Sequence, residues 1–235
     1  MELRIIAEFS QDPLWLEVFK RGGDLHSELC AATFKIPLSD VKTPFPPKPS
    51  FTYRDVQKTV DFGLAFGMSE FKLSDTIQVP VDKAKQIIKD FFKIVPKVEQ
   101  FLNKLGELGK ARGFIATPEP MKRIRWFQQW EHAVETKDFR VMGEIERQSK
   151  NFPIQSTNAN ITKLAMCNLQ YLIDKDNLPV QIVMQVYDEL QCIVKEEFAE
   201  EWKVILEQEM IKAAQIIIKT IPVEVDCKIS SHWQK

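Results

Sequence analysis

Residues 53–67 read Tyr-Arg-Asp-Val-Gln-Lys-Thr-Val-Asp-Phe-Gly-Leu-Ala-Phe-Gly and are the most informative segment of the chain. Arg54, Lys58, Phe62 and Phe66 recur every four residues, so on a helix they lie along one slowly drifting stripe. Two cations followed by two aromatic rings suit a nucleoside triphosphate, because cations neutralise phosphates and rings offer an apolar surface beside sugar and base. An ordinary amphipathic helix fits the same spacing, and both interpretations stay open at this point.

The composition is that of a globular protein of 235 residues with a net charge of −1 and 44% hydrophobic residues. No apolar run reaches the length of a membrane span, so we expect no membrane association. The four cysteines form no CxxC pair, which favours reduced thiols and a cytoplasmic location. Charge is segregated, since residues 101–125 are basic and residues 186–210 are acidic. Such a distribution suits a surface that meets an anion, but two ordinary solvated helix faces explain it equally.

Apolar residues recur mostly at helical spacing, and the few patterns typical of β-strands lie near the end of the sequence. Residues 81–112 predict two helices separated at Pro96, and residues 196–220 predict another helix. Residues 179–194 predict a hairpin, and the alternation over residues 222–229 predicts a third strand. The prolines of residues 37–50 predict an extended loop. Long helices with a small late sheet indicate an α+β fold.

Two acids, Asp188 and Glu189, occupy the tip of the predicted hairpin. Adjacent carboxylates repel each other unless a cation compensates, and oxygen ligands favour magnesium or manganese over zinc. A solvated turn with two polar residues is the alternative.

A second polar series recurs every four residues and consists of Arg147, Asn151 and Gln155. These side chains could reach acceptors in a DNA minor groove, or form a solvated helix end. Pro153 is expected to limit the length of one continuous helix there.

Taken in order, these segments resemble the family A DNA polymerases. The stretch Arg54 to Gly67 resembles the fingers-helix pattern R-x3-K-x3-F-G-x2-[YF]-G, and residues 151–157, Asn-Phe-Pro-Ile-Gln-Ser-Thr, resemble N-x-P-[MI]-Q-G-T. Residues 184–190, Met-Gln-Val-Tyr-Asp-Glu-Leu, resemble the acidic signature Q-V-H-D-E, and residues 2–10 resemble the end of the first acidic signature. Trp233 fits the usual closing tryptophan. The matches keep their order and spacing along the whole chain.

The resemblance implies a catalytic role for three positions. Asp188 would be a metal ligand bridging two Mg²⁺ ions, with Glu189 beside it as a secondary acid. Lys58 would contact the α-phosphate region of the incoming dNTP. Phe62 would pack by the sugar, and a Phe rather than a Tyr there implies strong discrimination against dideoxynucleotides.

The resemblance also implies binding roles. Arg54 and His26 would hold the outer phosphates of the nucleotide, and Phe66 would stack near the nascent base pair. Glu2 would reject a ribose 2′-hydroxyl. The residues expected to follow primer–template DNA near its minor groove are Arg147, Asn151 and Gln155.

The implied architecture is a right-hand polymerase fold that is incomplete, with mostly helical fingers and part of an antiparallel-sheet palm. We expect residues 1–11 to start the palm-to-fingers helix, residues 12–140 to form the fingers and residues 141–235 to form the later palm. The expected function is that of a C-terminal fragment or subunit of a split DNA polymerase. It would supply half of a two-metal Mg²⁺ site.

Departures from the family pattern shape this expectation. Met1 stands where the family has the Ile of D-Y-S-Q-I, so the first catalytic aspartate is absent from the sequence. We therefore expect the isolated chain to be inactive in primer extension and to need a separate N-terminal polypeptide carrying that aspartate and the thumb. Tyr187 replaces the usual His, and Phe66 stands where Tyr is frequent. The alternatives are a non-catalytic nucleotide- or DNA-binding remnant and a replisome scaffold.

Overall fold

Residues 1–233, which the computed structural model describes, are mostly helical and carry three antiparallel hairpins. The helices are α1 (Glu2–Ser10), α2 (Pro13–Lys20), α3 (Leu25–Phe34), α4 (Tyr53–Ala65), α5 (Glu70–Ile77), α6 (Val81–Ile94), α7 (Pro96–Arg112), α8 (Trp130–Thr136), α9 (Phe139–Asp176) and α10 (Ala199–Gln215). The strands are β1 (Pro44–Phe45), β2 (Lys48–Thr52), β3 (Phe114–Ala116), β4 (Ile124–Trp126), β5 (Val180–Val186) and β6 (Glu189–Val194). This content confirms the predicted α+β class.

The chain forms two compact units, one of residues 9–154 and one that joins residues 1–8 to the chain from Gln155 onward. These units follow contacts, whereas the predicted fingers and palm ranges follow family resemblance and stay predictions. The last two residues of the predicted 141–235 range lie outside the described residues. Within residues 1–233, no helix combines the length and the apolar character needed to cross a membrane.

Asp12 ties two helix starts together in the unit of residues 9–154. Its carboxylate, only 1% exposed, accepts hydrogen bonds from the Leu14 and Lys97 backbone amides, both at 3.2 Å. Pro13 and Pro96 begin the two helices, α2 and α7, where a missing backbone N–H does no harm. The predicted break at Pro96 is confirmed, because α6 ends at Ile94 and α7 begins at Pro96.

The loop predicted for residues 37–50 is partly wrong, because a small hairpin forms inside it. Strands β1 and β2 pair antiparallel, and Phe45 is buried at 2% exposure. The Phe45 ring packs edge-on against Phe34 at 6.0 Å and Tyr53 at 5.2 Å. This aromatic cluster holds the hairpin against α3 and the start of α4, a contact that proline content could not indicate.

The other unit packs the second half of α9 and helix α10 on the β5–β6 hairpin. The buried residues that form this core are Leu169, Ile173, Val180, Leu190, Trp202 and Leu206. The predicted hairpin is confirmed, with Val186 paired to Glu189 across a two-residue turn. The predicted helix over residues 196–220 is shorter than expected and covers Ala199–Gln215.

The third strand predicted over residues 222–229 is wrong. Burial alternates along this segment from Ile221 to Val223, yet it joins no sheet. At its start and just before it, a few polar groups bond to α1 instead of to a neighbouring strand. Arg4 donates to the Pro222 carbonyl at 3.1 Å, and Glu8 accepts from the Thr220 amide at 3.0 Å. The segment is therefore extended without a strand partner.

Helix α9 runs for 38 residues with Pro153 inside it, so the expected interruption is also wrong. Proline removes one backbone donor and usually kinks a helix. Pro153 is buried, and the division between the two compact units falls two residues later, between Ile154 and Gln155. The proline thus marks a change of packing partners and not a helix end.

Replacing Asp12 with alanine tests whether its carboxylate caps the starts of both α2 and α7. We expect Asp12→Ala to lower the free energy of unfolding by about 2 kcal/mol, because two helix-start amides lose their acceptor in a buried place. Urea denaturation measures the change. The control is Asp82→Ala, which removes an exposed acid from the first turn of α6. Equal stability of the two variants would contradict the assigned role of Asp12.

Candidate nucleotide-binding site

Helix α4 begins with a reciprocal cap. The Thr52 hydroxyl accepts from the Asp55 amide at 3.1 Å, and the Asp55 carboxylate accepts from the Thr52 amide at 2.9 Å. Val56 and Val60, both fully buried, face the core. With its start and its inner face fixed, the helix can present only one set of residues to solvent.

That outer set lines a cleft of about 1020 Å³. The lining residues are Ser50, Phe51, Asp55, Lys58, Thr59, Phe62, Gly63, Phe66, Gly67, Met68, Ser69, Lys72 and Arg147. The structure thus brings together Lys58, Phe62 and Phe66, three of the four residues in the predicted stripe. The Phe62 and Phe66 rings are stacked with centroids 6.4 Å apart. Cations beside aromatic rings can bind a phosphorylated, ring-bearing ligand.

Arg54, the fourth residue of the stripe, is engaged by Asp24. Its Nε lies 2.8 Å from Asp24 Oδ2 and its Nη2 lies 3.1 Å from Oδ1, a two-pronged ion pair. Partial burial raises the pKa of Asp24, but hydrogen bonds from Arg54 and Ser27 outweigh this effect and lower the pKa to about 2. Arg54 would have to exchange this carboxylate for a phosphate to contact a nucleotide.

His26 lies beside the cleft and not in its lining. Its ring centroid is 5.7 Å from that of Phe62, and its Nδ1 is 2.5 Å from the Asp61 carboxylate. The Asp61 side chain is fully buried, and burial raises its pKa although His26 and Gln57 favour the charged form. Sequence reasoning missed Asp61. The available signal was an acid on the helix face that also carries the apolar residues Val56 and Val60.

Two of the predicted DNA-contacting residues lie at this site. Arg147 lines the cleft, and the Asn151 amide donates to the Phe66 carbonyl at 3.4 Å. The Asn151 Oδ1 atom is buried and has no hydrogen-bond partner among residues 1–233. Gln155 is exposed farther along α9 and belongs to the other compact unit.

Sequence reasoning also missed Phe51 and Lys72, which line the cleft. Phe51 comes from the β1–β2 hairpin, where the Lys48 ammonium lies 3.8 Å from the centre of its ring. Lys48 also donates to the Thr76 carbonyl at the end of α5, at 2.8 Å. Only the tertiary arrangement brings these residues to α4, so their spacing in the sequence gives no signal.

The predicted metal-binding acids lie in the unit that contains residues 1–8. Asp188 occupies the β5–β6 turn, where the Met1 amine is 3.4 Å from its Oδ2. Burial and the charge of Asp188 raise the pKa of Glu2, while the Met1 amine lowers it. The Glu189 carboxylate accepts from the Trp233 indole at 3.1 Å and also from the Gln191 amide.

These acids do not form a complete metal site. Among residues 1–233, no three His, Cys, Asp or Glu side chains gather in a way that could hold an ion. The oxygen of Asp188 suits Mg²⁺ as a single ligand. The donor set around it is too small for two ions, and we derive no catalytic step through a metal held by these residues alone.

Comparisons with known proteins agree on one family. The profile of DNA polymerase family A matches residues 1–235. DNA polymerase I of Caldicellulosiruptor bescii and the thermostable DNA polymerase I of Thermus aquaticus are each 30% identical over 233 residues, which is 99% of this chain and 25% and 26% of those proteins. The chain therefore spans about a quarter of the length of these relatives.

A solved structure is also similar. It is the POL domain of Pol1 from M. smegmatis in complex with DNA primer-template and dNTP. The TM-score is 0.79 at 28% identity, covering 91% of this chain and 35% of that chain.

Gly67 offers a test of the packing between the end of α4 and α9. Its φ of +76° disfavours any side chain, and an added Cβ would lie 2.9 Å from Arg147 Cγ. We expect Gly67→Ala to lower the free energy of unfolding by about 1–2 kcal/mol in urea denaturation. Gly143→Ala is the control, because a Cβ at this position in α9 meets open space and removes a glycine from a helix. If Gly67→Ala and Gly143→Ala have the same free energy of unfolding, the close packing of Gly67 against Arg147 is refuted.

Proposed function

Since the chain belongs to DNA polymerase family A, we propose that it supplies the dNTP-binding helix and one metal-binding carboxylate for template-directed DNA synthesis. The main support for the proposal is the cleft of about 1020 Å³ along α4, which is lined by Lys58, Phe62 and Phe66. Its volume suits a nucleotide, since small-molecule sites of roughly 300–1,000 Å³ are usual.

Lys58 is the group that we assign to the reacting phosphate. It is exposed, lines the cleft and lies one helical turn from Phe62. A compact ammonium stabilises charge that develops on the phosphoryl oxygens during transfer. Phe62 and Phe66 give sugar and base an apolar surface, and Phe62 in place of Tyr is the reason to expect discrimination against dideoxynucleotides.

Primer–template DNA is the proposed second ligand. Arg147 lines the cleft next to Gly67, and Asn151 is anchored on the Phe66 carbonyl. This arrangement places a cation and an amide beside the ring that would meet the nascent base pair. The M. smegmatis neighbour, a POL domain in complex with DNA primer-template and dNTP, supports both ligands. Gln155 and the 2′-hydroxyl gate at Glu2 stay predictions, as does the cytoplasmic location.

Asp188 is proposed as one ligand of a Mg²⁺ site whose other ligands lie outside this sequence. When bound, two Mg²⁺ ions would stabilise the attacking and leaving oxygens of phosphoryl transfer. A separate N-terminal polypeptide, or a longer form of the same polypeptide, would complete the site. On this basis we expect residues 1–235 to bind nucleotide alone and to be inactive in primer extension alone.

Nucleotide binding is tested on the 235-residue chain by calorimetric titration with dATP in Mg²⁺. We expect Lys58→Ala to weaken binding about tenfold or more, because a charged hydrogen bond to phosphate is lost. Lys89→Ala is the matched control, since Lys89 is an exposed lysine on α6. Equal affinity of Lys58→Ala and the control would refute the assignment.

Catalysis is tested by recovering the tagged chain from its native source with co-purifying proteins and assaying Mg²⁺-dependent primer extension. We expect extension by the wild-type eluate, none by the Asp188→Ala eluate and none by the pure 235-residue chain. Extension by the pure chain would contradict the incomplete metal site. Failure of the wild-type eluate despite a co-purified partner would favour the non-catalytic nucleotide-binding alternative or the scaffold.

A further inference from the structure

The inner face of α4 carries an acid that neither the cleft nor the core requires. Asp61 is a fully buried carboxylate among valines and a leucine. Its Oδ2 is 2.5 Å from His26 Nδ1, and its Oδ1 accepts from Gln57 Nε2 at 2.6 Å. Both oxygens are therefore directed at two specific partners.

An acid in this position opposes folding. Removing a carboxylate from water is expensive, and its ion-pair partner among the described residues is a histidine that is itself 14% exposed. A neutral residue of similar shape would fill the same space at lower cost. The carboxylate must therefore be explained by its effect on His26.

That effect is to fix which ring nitrogen carries the hydrogen. An ionised carboxylate only accepts hydrogen bonds, so Nδ1 donates to Asp61 whenever Asp61 carries its charge. Nε2 is then the nitrogen left for another partner, and a second proton makes it a donor to an anion. The ring lies 5.7 Å from Phe62, which lines the cleft.

We infer that Asp61 is a positioning residue that holds His26 beside Phe62 with Nδ1–H donated inward, so that Nε2 serves the outer phosphates of a nucleotide in the cleft. The inference rests on the proposed function and assigns a role to a residue outside the cleft lining. Asp61 touches no nucleotide and acts through His26 alone.

Asp61→Asn separates this role from a structural one. The amide keeps the size of the carboxylate and one acceptor oxygen for His26. Gln57 can adjust by turning its own amide, because its Oε1 atom is buried and has no hydrogen-bond partner in the part of the chain that the structure describes. The variant thus loses the charge and not the packing, and we expect its thermal stability to be equal to or higher than that of the wild type.

The first measurement is the ¹⁵N spectrum of the imidazole rings. The chain has three histidines, so the His26 signals are assigned by comparison with His26→Ala. We expect neutral His26 to carry its hydrogen on Nδ1 in the wild type and to lose this fixed tautomer in Asp61→Leu, which removes the acceptor oxygen that Asp61→Asn still provides. A wild-type ring protonated on Nε2 alone would overturn the inference without reference to nucleotide.

The second measurement is calorimetric titration with dATP. We expect Asp61→Asn and His26→Ala each to weaken binding by about tenfold, and the double variant to be no weaker than His26→Ala. Asp82→Asn, an exposed acid on α6, is the control. If Asp61→Asn binds dATP with wild-type affinity while His26→Ala binds it more weakly, the inference is overturned and the proposed function is not. Absence of dATP binding by the wild type would overturn the proposed function and the inference together.

Discussion

Helix α4 is held in one rotational register by the residues that its inner face buries. The reciprocal cap between Thr52 and Asp55 fixes where the helix begins, and burial of Val56 and Val60 fixes which side faces α3. Because side chains three and four positions apart share a face, this register alone decides that Lys58, Phe62 and Phe66 line the cleft. A slip of one residue would put Gln57 or Thr59 in the place of Lys58.

The same helix register determines which polar groups near α4 face the cleft and which are paired with carboxylates. On the outer face, Lys58 is exposed and lines the cleft. Arg54 is paired with Asp24, and His26 is paired with Asp61, so both are held near the cleft by carboxylates. A nucleotide would therefore meet the exposed cations of the cleft first and these two paired groups second. This arrangement limits the loss of side-chain entropy on binding.

The features that sequence reasoning predicted are local ones. The stripe on α4, the break at Pro96 and the β5–β6 hairpin follow from spacing within a few residues. The features that it missed depend on distant contacts. Phe51 reaches the cleft through a hairpin held by Phe45, and residues 222–229 are extended against α1 without a sheet. Alternation predicts an extended segment, but only a neighbouring strand makes it part of a sheet.

Occupation of the cleft along α4 by a dNTP can be measured by modifying lysines with pyridoxal phosphate and borohydride. Peptide mapping with and without saturating dATP reports each lysine separately. We expect dATP to protect Lys58 and to leave Lys89 on α6 fully labelled. Equal labelling of Lys58 with and without dATP, under conditions where binding is saturated, would show that the nucleotide does not occupy this cleft.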